Sequence, residues 1–181
     1  MTTVQGLLTG FLSFAAGLGA FWSSHLLNKL SRRQCFQFLS IFMIFVCFLL
    51  IIPNIYILFI VRLFQGFCIG MISSVSPLFI REFSPTELAS ILCPLNQIGI
   101  VFGITFSFIL TFFLSLFMPA EIYWRIVFGF PILTSAILLY QLHYTYPYET
   151  PKWLLMNGKI EETKQLIRVI YKEEYVMKVY E

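Results

Sequence analysis

Long apolar runs separated by short polar turns dominate the first 148 residues. Positions without Asp, Glu, Lys or Arg form five intervals, at 1–28, 34–61, 63–80, 88–120 and 126–148. A helix that crosses a bilayer needs about 20 mostly apolar residues. Lipid offers no partner for backbone amide groups, so runs of this length must be helical. The pattern predicts five transmembrane helices, at about 4–27, 36–52, 56–80, 90–117 and 124–146.

Residues 149–181 have a different pattern, with six Lys or Arg and six Glu, against six and three in residues 1–148. Thr150 is suited to cap a helix that has Pro151 at its first position, where proline loses no needed hydrogen bond. Asn157-Gly158 predicts a turn, and an amphipathic helix follows it. We expect residues 149–181 to form short amphipathic helices on lipid headgroups or on the ends of other helices.

Composition places residues 1–148 in lipid. Charged residues make up 12% of the chain, there are 21 Phe and no Asp, and the mean hydropathy is +0.84. A soluble domain has about a quarter charged residues, so too few ionisable side chains exist here to cover a water-facing surface. The runs are too long and too uniformly apolar for a β-barrel, and the predicted fold class is all-α, polytopic and membrane-embedded.

Basic residues indicate the orientation of these helices. The turn at 28–35 holds Lys29, Arg32 and Arg33, the turn at 53–55 holds none, and the tail holds six. Short loops rich in Lys and Arg face the cytoplasm, so we expect the 28–35 turn and the tail there. Five spans then place the N-terminus outside, which suggests that a first helix is missing.

Little in the sequence points to chemistry. The four cysteines lie in or beside the spans without CxxC spacing and are expected to be packing residues rather than metal ligands. His25 and His143 are read as interface residues. No nucleophile with its base, metal cluster or phosphate loop appears, so we expect no enzyme activity, no cofactor and no nucleic-acid partner.

Polar side chains inside the predicted spans mark candidate functional positions. Arg62, near the outer end of the third span, either faces a cavity or snorkels to the interface. It is a candidate coupling or structural residue. Asn96 and Gln97 are adjacent in the fourth span, with Gln97, Ile100 and Ile104 on one stripe. Buried amides of membrane helices bind substrate or bridge helices, and residue type alone favours bridging.

Glycine pairs at four-residue spacing predict close helix packing. GxxxG spacing lets two backbones approach each other in a membrane. The pairs are Gly66 with Gly70, Gly99 with Gly103, and Gly6 with Gly10.

Four stretches, in order along the chain, resemble motifs of one transporter family. They are GAFWSSHLLNKLSRR (19–33), the segment 62–104 with its spaced glycines, SPTE and NQIGI, then WR (124–125), and YETPKWLLMNGKIEET (148–163). The resemblance is to the sugar porter branch of the major facilitator superfamily. It covers that family's helices two to six and the start of its intracellular helical region.

The resemblance implies a fold and a function. The chain would form an incomplete N-terminal half of a major facilitator bundle and would take part in monosaccharide (hexose-like) transport by alternating access. Such carriers hold substrate between two halves near the membrane centre. The chain would therefore need the missing first helix and C-terminal half, or a partner chain. The alternatives are a carrier for a polyol, organic ion or phosphate, and a truncated protein that does not transport.

The resemblance also implies site residues. Gln97, Ile100 and Ile104 match fifth-helix positions that contact hexose, and the adjacent Asn96 is a further candidate substrate contact. Arg62 matches an arginine that faces an acidic first-helix residue in proton-coupled members.

A cytoplasmic charge network is the second implied site. It would lock the gate while the transporter faces outward. Its expected members are Asn28, Lys29, Arg32, Arg33, Glu82 and Glu149.

The chain departs from the family pattern at several of these motifs. Ser31 replaces a loop glycine, Lys29 replaces an arginine, and Ala89-Ser90 replaces Arg-Gly at the start of the fifth helix. Pro147 stands one place early, with Tyr148 at the usual proline position. We therefore expect a weaker charge network. The protein should be a multi-pass membrane protein with a cytoplasmic tail, with the plasma membrane favoured.

Overall fold

The computed structural model describes residues 2–27, 29–52, 54–84 and 86–170, and the regular structure in these ranges is helical. Five long helices come first: α1 (Thr2–Leu27), α2 (Arg32–Phe48), α3 (Ile55–Phe83), α4 (Thr86–Phe117) and α5 (Ala120–Tyr140). Two short helices follow, α6 (Pro151–Met156) and α7 (Ile160–Ile170). The last part of the predicted tail, 171–181, lies outside the described residues.

Local side chains explain where two of the long helices begin. Ser31 starts α2 with a capping box: its hydroxyl accepts from the Gln34 amide at 3.1 Å, and the Gln34 side chain accepts from the Ser31 amide at 3.3 Å. Asn54 starts α3 by accepting from the Tyr56 amide at 2.9 Å. These caps satisfy amide groups that have no partner within the helix. Ser31 therefore has a structural use that a glycine there would lack.

Within the described residues, four helical segments are long and apolar enough to cross a membrane: Gly6–Leu27, Ile55–Phe83, Leu88–Phe117 and Arg125–Thr145. The second helix, α2, overlaps the predicted span 36–52 but has only 17 residues. At 1.5 Å per residue it is about 26 Å long, a little less than the hydrocarbon thickness. A 3₁₀ turn, Leu49–Ile51, continues it.

Helices α1 and α3 pack backbone against backbone. A Cβ atom built at Gly66 would overlap the carbonyl oxygen of Leu12, and one at Gly70 would overlap that of Ala16. On α1, a Cβ atom built at Gly19 would likewise overlap the carbonyl oxygen of Phe67 in α3. At Gly66 and Gly70 the two backbones therefore touch where a side chain would otherwise stand.

The apolar core lies between α2 and α3. Phe128 and Ile132 of α5 pack against it. Two of the cysteines, Cys47 and Cys68, are buried in it, and Cys35 is buried nearer the charged end. The packing role expected for these three thiols agrees with their burial. The core residues are Leu39, Met43, Val46, Cys47, Leu50, Val61, Cys68 and Met71.

The fourth helix touches α3 and α5 but is packed more loosely than the other long helices. None of its membrane-length segment, Leu88–Phe117, is buried. A Cβ atom at Gly99 or Gly103 would meet no described atom within 4 Å. The predicted helix packing at Gly99 and Gly103 is therefore not met within the described chain, although their spacing is that of Gly66 and Gly70. Spacing permits close approach, but a facing helix has to be present.

Candidate functional site

A cluster of charged and polar side chains joins three segments at one end of the helices. Arg32 at the start of α2 forms an ion pair with Glu82 near the end of α3, with Nη2 and Oε1 2.9 Å apart. The hydroxyl of Thr150, just before α6, donates to the other Glu82 oxygen at 3.1 Å. Lys152 lies 3.8 Å from Glu82. The Glu82 side chain is only 4% exposed, so its charge is balanced inside the protein rather than by water.

Arg33 connects α2 to the end of α5. Its Nε and Nη2 atoms donate to the carbonyl oxygen of Leu142 at 3.2 and 3.0 Å. Its third nitrogen lies 3.9 Å from Glu149. The guanidinium therefore makes its two short contacts to a backbone oxygen and only a long one to the carboxylate.

The backbone explains why the Leu142 oxygen is open to Arg33. After α5 the chain makes a π-helical turn, Gln141–Thr145, in which the Tyr146 amide donates to the Gln141 carbonyl. The next amide in that pattern would belong to Pro147, which has no N–H. The Leu142 oxygen therefore needs a side-chain donor, and Arg33 provides it.

Thr150 corrects one sequence expectation. It occupies the N-cap position of α6, with Pro151 first in the helix, but its side chain makes no capping hydrogen bond. The hydroxyl bonds instead to Glu82, which is 68 positions earlier. Thr150 is fully buried, and tertiary contact decides its partner. Neither this role nor that of Lys152 has a local sequence signal.

The remaining network candidates are placed differently. Asn28 lies outside the described residues. Lys29 is exposed and lines a separate groove between α1, α2 and α3. Two buried atoms of the cluster, Arg32 Nε and Glu149 Oε2, have no hydrogen-bond partner among the described residues.

Arg62 lies away from the cluster, beside a cavity of about 350 Å³. Leu8, Thr9 and Leu12 of α1 also line this cavity, and Phe128 of α5 closes it. The guanidinium carbon sits 3.7 Å from the centre of the Phe128 ring. A cation over a ring face is stabilised by the ring's negative face, and more so away from water. The aromatic ring thus partners the charge from within the bundle.

The predicted substrate stripe stands apart from that cavity. Gln97 is exposed, Ile100 and Ile104 are 37% and 53% exposed, and Asn96 is half-buried. All four belong to α4, whose described residues contribute nothing to the lining around Arg62. The structure therefore does not bring the stripe and Arg62 into one pocket.

Comparison with known proteins decides the family. The sequence model for "Sugar (and other) transporter" matches residues 1–178. The chain belongs to this family. That confirms the resemblance seen in the motifs, and a family of transporters supports the expectation that the chain is not an enzyme.

Two relatives show how much of a sugar transporter is present. Plastidic glucose transporter 4 of Arabidopsis thaliana is 31% identical over 179 residues, which are 98% of this chain and 32% of that protein. Glucose transporter GlcP of Staphylococcus epidermidis is 31% identical over 178 residues, 98% of this chain and 39% of that protein. The chain spans less than half the length of these sugar transporters.

Solved structures confirm the fold class. The partially occluded, inward-open xylose transporter XylE of E. coli matches with a TM-score of 0.86 at 20% identity, covering 97% of this chain and 46% of that one. XylE bound to 6-bromo-6-deoxy-D-glucose, a proton:xylose symporter of the major facilitator superfamily, matches with a TM-score of 0.84 at 20% identity, covering 98% and 42%. This sugar transporter family member is therefore an all-α, multi-pass membrane protein with part of a major facilitator fold.

Proposed function

We propose that this chain is part of a monosaccharide transporter that works by alternating access. The observation that carries the proposal is the family match over residues 1–178, together with relatives named as glucose transporters. A major facilitator carrier holds its substrate between two halves that rock against each other. The second half, and a first helix, would come from a longer protein or from a partner chain.

The charge cluster is proposed as the gate of this half. Glu82 binds Arg32, Thr150 and Lys152, so one carboxylate joins α2, α3 and the segment before α6. Such a cluster can hold one arrangement until rocking separates its members, which gives two stable states. Arg33 and Glu149 extend the gate to the end of α5. Asn28 and Lys29 are proposed as further members of this gate.

The proposed hexose contacts are Gln97, Ile100, Ile104 and Asn96 on α4. The exposure of α4 supports this proposal, since its membrane-length segment has no buried residue. A helix that is apolar all round needs a covering partner or lipid. We propose that the second half approaches the stripe and that the sugar is held between them. Arg62 is proposed as a coupling or structural residue.

The orientation and boundaries are also proposed. Residues 1–148 would form the membrane bundle, with α2 as a fifth and shorter span, and residues 149–181 the cytoplasmic helices. The plasma membrane is favoured. The basic turn at 28–35 and the tail support a shared cytoplasmic side.

A chimaera tests the substrate proposal. This chain would replace the matching segment of GlcP, and uptake of labelled glucose would be measured in cells without their own hexose carriers. We expect saturable uptake, and a loss of about tenfold or more with Gln97→Ala, because a buried sugar hydroxyl would lose its partner. Ile98→Ala, the neighbouring position on another face, should change uptake little.

The alternative hypotheses about the function predict different results in the same uptake measurement. A surface-expressed chimaera that transports a polyol, organic ion or phosphate and ignores excess hexose would contradict the sugar proposal. The 181-residue chain expressed alone should show no uptake, since it supplies one side of the site. Saturable hexose uptake by the chain alone would contradict the need for a second half.

A further inference from the structure

A groove lined by aromatic side chains opens on the side of the helix bundle where α1, α2 and α3 meet. Its volume is about 390 Å³. Trp22 of α1, Phe38 of α2 and Phe64 of α3 form its walls and are 60%, 54% and 44% exposed. Phe42 closes the floor with its ring edge on Phe64, 5.6 Å between centroids. Lipid-facing side chains are ordinary in a membrane protein, but here they form a concave slot.

One end of the groove is basic. His25 lies in the last turn of α1, and Lys29 follows in the next turn. Trp22 and His25 stand at three-residue spacing on one face of α1, and Lys29, in the turn after that helix, lines the same groove. The described lining contains no carboxylate. Its positive charge is therefore not balanced from within the groove.

The groove has the reach of one lipid leaflet. Phe42, the groove residue furthest along α2, lies ten positions beyond the start of that helix at Arg32. That is a rise of about 15 Å, half of a hydrocarbon core of about 30 Å. The aromatic floor therefore ends near the membrane centre, while Lys29 stands at the surface. An elongated apolar molecule with a negative head matches both ends.

We propose that the groove binds one anionic phospholipid. An acyl chain lies against Trp22, Phe38 and Phe42, and the phosphate lies beside Lys29 and His25. Charge complementarity selects this occupant, because an anionic head group brings a net negative charge to the lysine, whereas a zwitterionic head group brings its own cation beside the phosphate and a neutral chain brings no charge. In the orientation proposed above, this is the leaflet that carries most anionic lipid.

Fluorescence of Trp22 tests the proposal without any transport measurement. The 181-residue chain with W124F and W153F is placed in detergent micelles with phosphatidylglycerol or phosphatidylcholine brominated in the acyl chains, since bromine quenches a neighbouring indole. Phosphatidylglycerol should quench at a mole fraction about fivefold lower than phosphatidylcholine. Lys29→Gln should remove that preference, and Lys159→Gln, an exposed lysine on the tail, should keep it.

Each other outcome overturns the proposal. Equal quenching by the two lipids means ordinary solvation, and no quenching by either means that protein covers the groove. An unchanged preference in Lys29→Gln removes the assigned head-group contact. Native mass spectrometry of the unaltered chain repeats the test without substitution, and equal retention of the two lipids would also overturn it.

Discussion

At the residue scale, Glu82 is the side chain on which most of the charge cluster depends. It is almost fully buried and contacts a guanidinium, a hydroxyl and an ammonium group from other segments. Removing one member of a buried ion pair leaves the other charge uncompensated, and that penalty exceeds the loss of the contact itself. An exposed pair has no such penalty, because water replaces the partner.

We therefore expect Glu82→Gln to lower the free energy of unfolding by about 3–5 kcal/mol, because Arg32 stays buried without its counter-charge. The control is Glu162→Gln, which removes a carboxylate 3.0 Å from Lys159 in an exposed pair and should cost less than about 1 kcal/mol. Thermal unfolding of the purified chain in detergent compares the two. Similar midpoints would show that Glu82 is not held by buried charge.

Pro147 acts on the same cluster through the backbone. It leaves the Leu142 oxygen without an amide donor, and Arg33 fills the gap instead of closing on Glu149. A hydrogen bond from a charged group is stronger than one between neutral groups. The early proline thus accounts for the long Arg33–Glu149 distance.

Restoring the amide should release Arg33. In the unaltered chain Arg33→Gln should cost about 1.5–3 kcal/mol. In a Pro147→Ala background it should cost less, since the introduced alanine offers the N–H that Leu142 lacks. Pro151→Ala is the matched control, because that proline is first in α6 and its substitution gives Leu142 nothing. Unfolding midpoints of the variants give the comparison, and equal costs in all three backgrounds would contradict this account.

At the element scale, two identical glycine spacings have opposite surroundings. Gly66 and Gly70 on α3 touch the backbone of α1, whereas Gly99 and Gly103 on α4 meet no described atom within 4 Å. The first pair sets the distance between two helices. The second has no facing backbone among the described residues.

A paired substitution separates these cases. Gly70→Ala should destabilise the chain by about 1–3 kcal/mol, because the new methyl group overlaps the Ala16 carbonyl and forces α1 away. Gly99→Ala should be neutral or stabilising by up to about 1 kcal/mol, as alanine is the better helix former. Unfolding in detergent measures both. Equal losses would show that α4 is packed within this chain.

At the scale of the whole molecule, the charged cluster lies at one end of the apolar helix bundle. The cluster around Glu82 and the two short helices lie at one end, and the α2–α3 turn that includes Asn54 lies at the other. The orientation proposed above places the charged end on the cytoplasmic side, which the positive-inside bias favours. Any gate built from Arg32, Arg33 and Glu82 would open on that side.

Labelling in intact cells checks this orientation. A cysteine at Tyr56, 76% exposed at the first turn of α3, should react with a membrane-impermeant maleimide added outside. A cysteine at Asn157, in the exposed turn after α6, should react only after the cells are permeabilised. Labelling of both from outside would contradict the five-span arrangement, and the reversed pattern would invert it.

Much of the architecture could be read from the sequence because it follows from local physics. Uninterrupted apolar runs in lipid have to be helical, and the observed helices overlap all five predicted spans. The Asn54 cap joins groups only two residues apart, which is the range over which local sequence acts. Family motifs also anticipated that Arg32 and Arg33 would lie near Glu82 and Glu149, as they do.

Only the tertiary structure decided which groups meet across the chain. Thr150 bonds to a carboxylate 68 positions away rather than capping its own helix. Arg33 bonds to a carbonyl 109 positions away. Gly70 and Gly99 share a motif, yet one is enclosed and the other open. Local pattern determines helix formation because its hydrogen bonds span four residues, whereas these contacts depend on where distant segments pack.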